Sequence, residues 1–422
     1  MIGWAWRPSN ALAYDALACD ALPFVVHCAV LAHSAPAFCG RSPLPPPLPM
    51  SRLTTPWSPT AVTLLIGWTL ATSAPAHRAD AQVATDSAVS VSFSAFVDTY
   101  FAYDFNRPRA LDRVFTTQAA RHNEFNVNLA HIAAALSGPR VRARLALQAG
   151  TSVEVNYAGE PRVGRTSGGA LSRHIQEATV GVQVAPRLWL DGGIFWSHMG
   201  SESFISHENL TYTRSLVAEG SPYYQAGAKL TWEATPTVVA QLNVVNGWQN
   251  ISETNGDKSV GARVDWSATP QLSLSAYNYI GNDAAPDDAR QLRIFHGASA
   301  KVMASKQLTL QGTVDFGTQD VGDEWARWYG GALIARLQTT PTTALVARVE
   351  RYADPEQLVF PTGTSRPFKV SGGSLGVDVT PTRQVVWCTE LRTLAGRGAI
   401  FPDRTGLAKS NTVLVTSLGV RF

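Results

Sequence analysis

From about residue 90 to the C-terminus, apolar and polar side chains alternate one by one in short runs. Val260, Ala262, Val264 and Trp266 interleave with Ser259, Gly261, Arg263, Asp265 and Ser267. Leu308, Leu310, Val314 and Phe316 interleave with Gln307, Thr309, Gln311, Thr313 and Asp315, and Arg142 and Arg144 fall between Val141, Ala143, Leu145 and Leu147. Successive side chains of a strand point to opposite faces, so each run has one apolar and one polar face. Tight turns punctuate the runs at Pro139, Pro186, Pro236, Pro270, Lys306, Pro341 and Pro381, three of them around a nearly repeated Ala/Thr-Thr-Pro core. Longer polar stretches lie between, at 104–124, 150–173, 198–222, 247–257, 281–290, 317–325, 353–368 and 393–410.

Seven short turns alternating with eight long loops predict about sixteen strands. Strands of about 9–11 residues span a bilayer, and bacterial barrels pair short periplasmic turns with long external loops. The expected fold is all-β, a transmembrane antiparallel β-barrel with short periplasmic turns and long external loops. A soluble sandwich also alternates but does not sort its connections by length, and a propeller repeats every four strands. Segments 126–136 and 329–337 carry mixed parity, which leaves the strand count approximate. At the C-terminus Leu414, Thr416, Leu418, Val420 and Phe422 alternate to the last residue; such a strand closes on the first one, around Val91 to Tyr103, leaving no edge.

The stretch Phe96-Val-Asp-Thr-Tyr-Phe-Ala-Tyr-Asp-Phe-Asn-Arg-Pro108 resembles the first strand and loop of the OmpL-like β-barrel porins of Gram-negative bacteria. His122-Asn-Glu-Phe-Asn-Val-Asn-Leu129, Asn246-Gly-Trp248 and Asn255-Gly-Asp-Lys258 add to the resemblance, which extends over the mature chain. It implies an outer-membrane porin and carries over no catalytic or substrate-binding residue.

Composition agrees with export and a membrane wall. Charged residues make up 16% of the 422, against roughly 25% in soluble domains, and hydrophobic residues 45%. A net charge of +3 excludes a basic nucleic-acid-binding face as the main theme. Residues 50–81 read as a signal peptide: Met50, Arg52, the apolar run Ala61 to Ala71, then Ala74-Pro-Ala76 and Ala79-Asp-Ala81. Residues 1–49 are expected to be an over-extended start, and 82–422 the barrel. Cys19, Cys28 and Cys39 precede Met50, so Cys388 stands alone beyond it, without disulfide or CxxC chemistry.

Chemistry is expected on the polar parity. The candidate pore-lining residues are Asp98, Arg142, Arg144, Asp191, Lys229, Arg263, Asp265, Arg293, Asp315, Arg348, Glu350, Glu390 and Arg392, joined by Glu177, Gln241, Asn243, Lys301, Arg336 and Asp378. Arg142, Arg144, Arg263 and Arg293 could form a positive wall favouring anions; the competing expectation pairs them with Asp191, Asp265 and Glu350. The loop Ser197 to Pro222, with Glu202, Glu208 and Glu219, is the candidate constriction. Trp189, Trp196, Trp232, Trp266 and Trp387 fall near strand ends, as in interfacial aromatic belts. Enzyme fingerprints are missing, although Ser206-His207-Glu208-Asn209, His131 and His296 keep a lipid- or lipopolysaccharide-hydrolysing barrel as the alternative. Asp283, Asp287 and Asp288 could hold a cation from a loop. No cofactor is expected. Expected partners are outer-membrane lipid and lipopolysaccharide, the barrel-assembly machinery through Phe422, and further copies of the chain.

Overall fold

The computed structural model describes residues 89–285 and 288–422; the expected over-extended start and signal peptide lie outside them. The strands are β1 (Ser90–Asp104), β2 (Phe125–Ser137), β3 (Val141–Ala149), β4 (Ile175–Ala185), β5 (Leu188–Trp196), β6 (Tyr224–Trp232), β7 (Val238–Val245) and β8 (Ser259–Thr269). They continue as β9 (Leu272–Asn282), β10 (Leu292–Met303), β11 (Leu308–Asp320), β12 (Trp325–Thr340), β13 (Thr343–Asp354), β14 (Phe368–Val379), β15 (Val385–Gly396), the short β16 (Phe401–Pro402) and β17 (Leu407–Ala408), and β18 (Ser410–Arg421). Sixteen of them form one closed antiparallel barrel, and β16 and β17 make a separate hairpin in the last loop. Closure pairs β1 with β18, Phe96 facing Arg421 and Asp104 facing Val413. All seven expected turns join strands. The expected long loop at 317–325 does not exist at that length: β11 and β12 run on as a ladder to Asp320 and Trp325, leaving residues 321–324.

The apolar parity faces away from the barrel. Val180 and Leu375 are each 68% exposed and Val349 62%, although all three sit mid-strand. Such a face is stable against hydrocarbon, where an Arg or Lys near the midplane costs about 2–4 kcal/mol. Trp232, Trp266 and Trp387 are exposed near the turn end, and Trp325 and Tyr329 near the loop end, as an aromatic belt requires. Trp189 is not part of it: it faces inward, its ring 4.5 Å beneath the Arg142 guanidinium. Trp196 packs at the strand end against Phe204, 5.9 Å between rings.

Two features explain the mixed parity. Asp98 pairs with Leu129 but Thr99 with Val127, so Asn128 is a bulge residue and the faces of β2 exchange there. His131 is therefore buried on the inside, whereas His296 is exposed on the outer wall. On β12, Ala326, Trp328, Ala332 and Ile334 face inward and are buried, because loops fold into the barrel and pack on them.

The interior at the loop end is thus not uniformly polar, contrary to expectation. Phe115, Leu216, Val217, Trp248, Phe360 and Phe401, all from connections between barrel strands, pack with Phe295, Trp328, Tyr352 and Phe368 of the wall. Trp248 meets Phe295 edge-on at 4.9 Å and Phe360 stacks on Phe368 at 4.4 Å. Aromatic pairs in these geometries add to the burial of apolar area.

Candidate functional site

The third loop, residues 197–223, crosses the interior. Ser197 N–H donates to Tyr223 C=O at 3.0 Å, closing its base between β5 and β6. Inside it, Ser215 caps the short helix α1 (Leu216–Glu219), its Oγ accepting from Ala218 N–H at 3.3 Å. Leu216 and Val217 bury into the aromatic cluster. Arg214 is enclosed between rings, its guanidinium carbon 3.9 Å from the Tyr223 centroid and 5.0 Å from that of Phe204.

Wall side chains hold this loop at both flanks of the barrel. Ser206 Oγ donates to Asp98 on β1 at 2.7 Å, and Thr213 N–H and Oγ1 donate to Glu390 on β15 at 2.7 and 2.9 Å. Leu216 N–H donates to Glu350 on β13 at 2.7 Å, and Arg348 donates to Thr211 Oγ1 at 3.1 Å. Across the lumen, Arg263 on β8 donates to the carbonyls of His198 and Gly200 at 3.0 and 2.9 Å. Since β1 and β8 stand on nearly opposite sides of the ring, the loop spans the lumen. Further tethers fall on β9, β11, β12 and β18, and within the arc from β3 to β7 the loop touches β6 at its own root, where His198 Nδ1 lies 2.8 Å from Gln225 Oε1; the rest of that arc carries Arg142, Arg144, Asp191, Lys229 and Gln241.

The constriction candidates occupy different places. Glu202 accepts from Ser215 N–H at 3.1 Å and from its hydroxyl; burial pushes the Glu202 carboxyl above its ordinary range, opposed by the Arg348 charge and the Ser215 hydroxyl. Glu219 accepts from Thr117 N–H at 3.0 Å and Thr116 Oγ1 at 3.3 Å, fastening the third loop to the first. Glu208 accepts from Ser203 Oγ at 2.6 Å and borders a cavity of 270 Å³ with Arg336, Arg383 and Arg421 at the turn end.

The pore-lining candidates all face inward, but they divide by what covers them. Asp98, Arg293, Asp315, Arg348, Glu350, Glu390 and Arg392 are buried. Arg348 sits 3.3 Å from Glu350 and 3.0 Å from Glu390, with Arg392 2.8 Å from Glu350, so two cations are balanced by two carboxylates. Tyr277 Oη donates to Asp315 at 2.8 Å. Arg142, Arg144, Lys229, Arg263 and Asp265 are half-buried.

The unpaired positive wall is not found. Arg142 bonds Asp191 and Arg144 bonds Glu177, Arg263 lies 2.8 Å from Asp265, and Arg293 lies 2.9 Å from Asp283. That last pair also removes Asp283 from any loop cation site, Asp287 lies outside the described residues, and no group of potential metal ligands occurs among the described residues. Sequence parity missed Asn128, Arg214 and Tyr277 as organisers; two sit at a bulge or in a loop, where no period exists. The hydrolase set disperses: Ser206 serves Asp98, the His207 ring stacks on Phe96 at 5.4 Å with Nε2 3.0 Å from Arg421, and Glu208 serves Ser203.

A sequence model of the family described as "Putative beta-barrel porin-2, OmpL-like" matches residues 90–422. The chain belongs to this porin family. Solved structures agree on the fold. An anion-selective porin from Comamonas acidovorans superimposes with a TM-score of 0.52 at 13% identity, covering 79% of this chain and 100% of that one. The outer-membrane channel DcaP of Acinetobacter baumannii gives 0.52 at 11%, covering 79% and 97%, and OprB of Pseudomonas putida 0.51 at 11%, covering 79% and 94%. No curated protein matches the porin in sequence. The porin is an outer-membrane β-barrel channel, and its family and fold point to a channel rather than an enzyme.

Breaking the balanced cluster is expected to loosen the third loop. In Arg348→Ala, Glu350 and Glu390 keep a single buried cation, and loss of one partner of a buried pair costs about 3–5 kcal/mol. Protease should then cleave within residues 205–219 while the barrel stays folded; equal protection of wild type and variant would show that Arg348 does not hold the loop.

Proposed function

We propose that the porin is a passive diffusion channel for small hydrophilic solutes with a mild preference for anions, its passage running between the third loop and the β3–β7 arc. The observation that carries this is how the ion pairs are presented to water. The Arg142 side chain is 33% exposed and Asp191 5%, Arg144 36% and Glu177 9%, Arg336 23% and Asp378 7%. Each of these carboxylates is sunk behind its arginine, so a passing solute meets the cation first; Arg263 and Asp265 reverse the order on the wall, as Arg121 with Asp112 and Arg173 with Glu154 do in the loops. Arg383 and Arg421 extend the same sign to the turn-end cavity. Residues 50–81 serve as the export signal, Phe422 as the strand end met by the assembly machinery, and protomers associate in the membrane.

Reversal potentials in a salt gradient test this reading. The wild type is expected to favour anions, and Arg142→Ser with Arg144→Ser to move the permeability ratio toward cations by roughly two- to fourfold, the scale of an exposed charge worth about 1 kcal/mol in water. Cation preference in the wild type, or an unchanged ratio in the variant, would refute it.

A further inference from the structure

The outer wall carries a feature the channel does not use. Between β9 and β13 the small residues Ala298, Ala300, Gly312 and Gly331 lie among Leu333 and Val349 and leave a groove of 740 Å³, open along the lipid-facing surface. Arg351 forms part of the same groove, on the loop side of Val349. Three more cations stand toward the loop end of the neighbouring strands: Arg327 on β12, Lys369 on β14 and Arg397 just beyond β15. The first two of these and Arg351 point outward, because each is flanked by buried neighbours: Ala326 and Trp328, Glu350 and Tyr352, Phe368 and Val370. Among the described residues, none of the four side chains has a carboxylate partner. The outward positions of β12 to β15, from Tyr329 and Leu333 through Val349 and Leu375 to Leu391, hold no Asp or Glu; Glu350 and Asp354, close to Arg351 in sequence, are buried on the inward parity, and Asp323, Glu324 and Glu356 lie in the loops.

Four unpaired cations beside an apolar trough match an anionic amphiphile, with acyl chains along the trough and phosphate at its head. The long loops of bacterial barrels are external, and in the outer membrane the external leaflet is built from phosphorylated glycolipid. We infer that the β9–β13 groove and the Arg327, Arg351, Lys369 and Arg397 rim form a lipopolysaccharide-binding site, which takes an acyl chain in the groove and a lipid A phosphate on the rim. The inference rests on the outer-membrane location, not on the conducting path, so it stands or falls apart from the channel reading.

Native mass spectrometry of the detergent-purified porin, titrated with bisphosphorylated lipid A, dephosphorylated lipid A or phosphatidylglycerol, tests it. Wild type is expected to bind the bisphosphorylated form at least about tenfold more tightly than the dephosphorylated one, as several clustered cations allow, and to prefer it to phosphatidylglycerol. Arg351→Gln with Lys369→Gln should abolish that difference, and Gly331→Leu, which fills the groove, should weaken both lipid A forms. Heat-modifiable migration and unchanged single-channel conductance show that each variant is folded. Equal binding of the two lipid A forms, full binding by the neutralised variant, or preference for phosphatidylglycerol would overturn the proposal. So would a Gly331→Leu variant that keeps lipid A but loses its protomer–protomer assembly, since the groove would then hold a second copy of the chain.

Discussion

Replacing residues 205–219 with a short Gly-Ser linker is expected to raise single-channel conductance at least about threefold, since a sixteen-strand barrel without an inward loop encloses an open aqueous channel. The deleted stretch carries Ser206, Thr211, Thr213 and Leu216, which bond Asp98, Arg348, Glu390 and Glu350. The wall survives its loss, because Arg348 and Arg392 still neutralise Glu350 and Glu390. Removing Leu216 and Val217 also opens the aromatic cluster at the loop end. Conductance in planar bilayers, compared with wild type at equal salt, reads the effect. An unchanged value would mean that the third loop does not narrow the passage.

Gly193→Val is expected to abolish most of the folded, membrane-recovered barrel. Gly193 lies in β5 at φ +130°, a conformation that residues with a side chain rarely adopt and that costs about 1–3 kcal/mol when forced. A Cβ there would stand 2.0 Å from the Ala178 carbonyl oxygen and 3.0 Å from its carbon, so the β4–β5 ladder itself must shear. Gly312→Ala is the control: its Cβ would first meet Leu333 Cδ1 at 3.9 Å, an ordinary contact. Heat-modifiable migration of outer-membrane fractions should show a folded band for Gly312→Ala and almost none for Gly193→Val. Comparable bands would contradict the close backbone approach.

The barrel was legible in the sequence because two independent regularities coincide. A period-two pattern reports which face meets lipid, and the alternation of short turns with long loops reports how strands are joined. The turns at Pro139 through Pro381 all join barrel strands, and the terminal run to Phe422 closes on β1 as expected. Errors gather where the period is interrupted or missing. One inserted residue, Asn128, exchanges the faces of β2 and turns His131 inward. The position of Trp189 at a strand end predicts the belt, but Arg142 across the sheet holds it inside. The inward side of the third loop was expected from its length and acids, but its partners were not, since Asp98 and Ser206 meet only after more than a hundred residues of chain have folded. The aromatic cluster was invisible for the same reason: Phe115, Trp248, Phe360 and Phe401 come from four separate connections and converge only in three dimensions.

Planar-bilayer recording from the porin purified out of outer membranes tests most directly whether hydrophobic side chains clothe the outside and a wet passage remains within. Discrete, ohmic steps at constant voltage, without any energy source, are the expected result. Insertion of folded, heat-modifiable protein that leaves the bilayer electrically silent would contradict it.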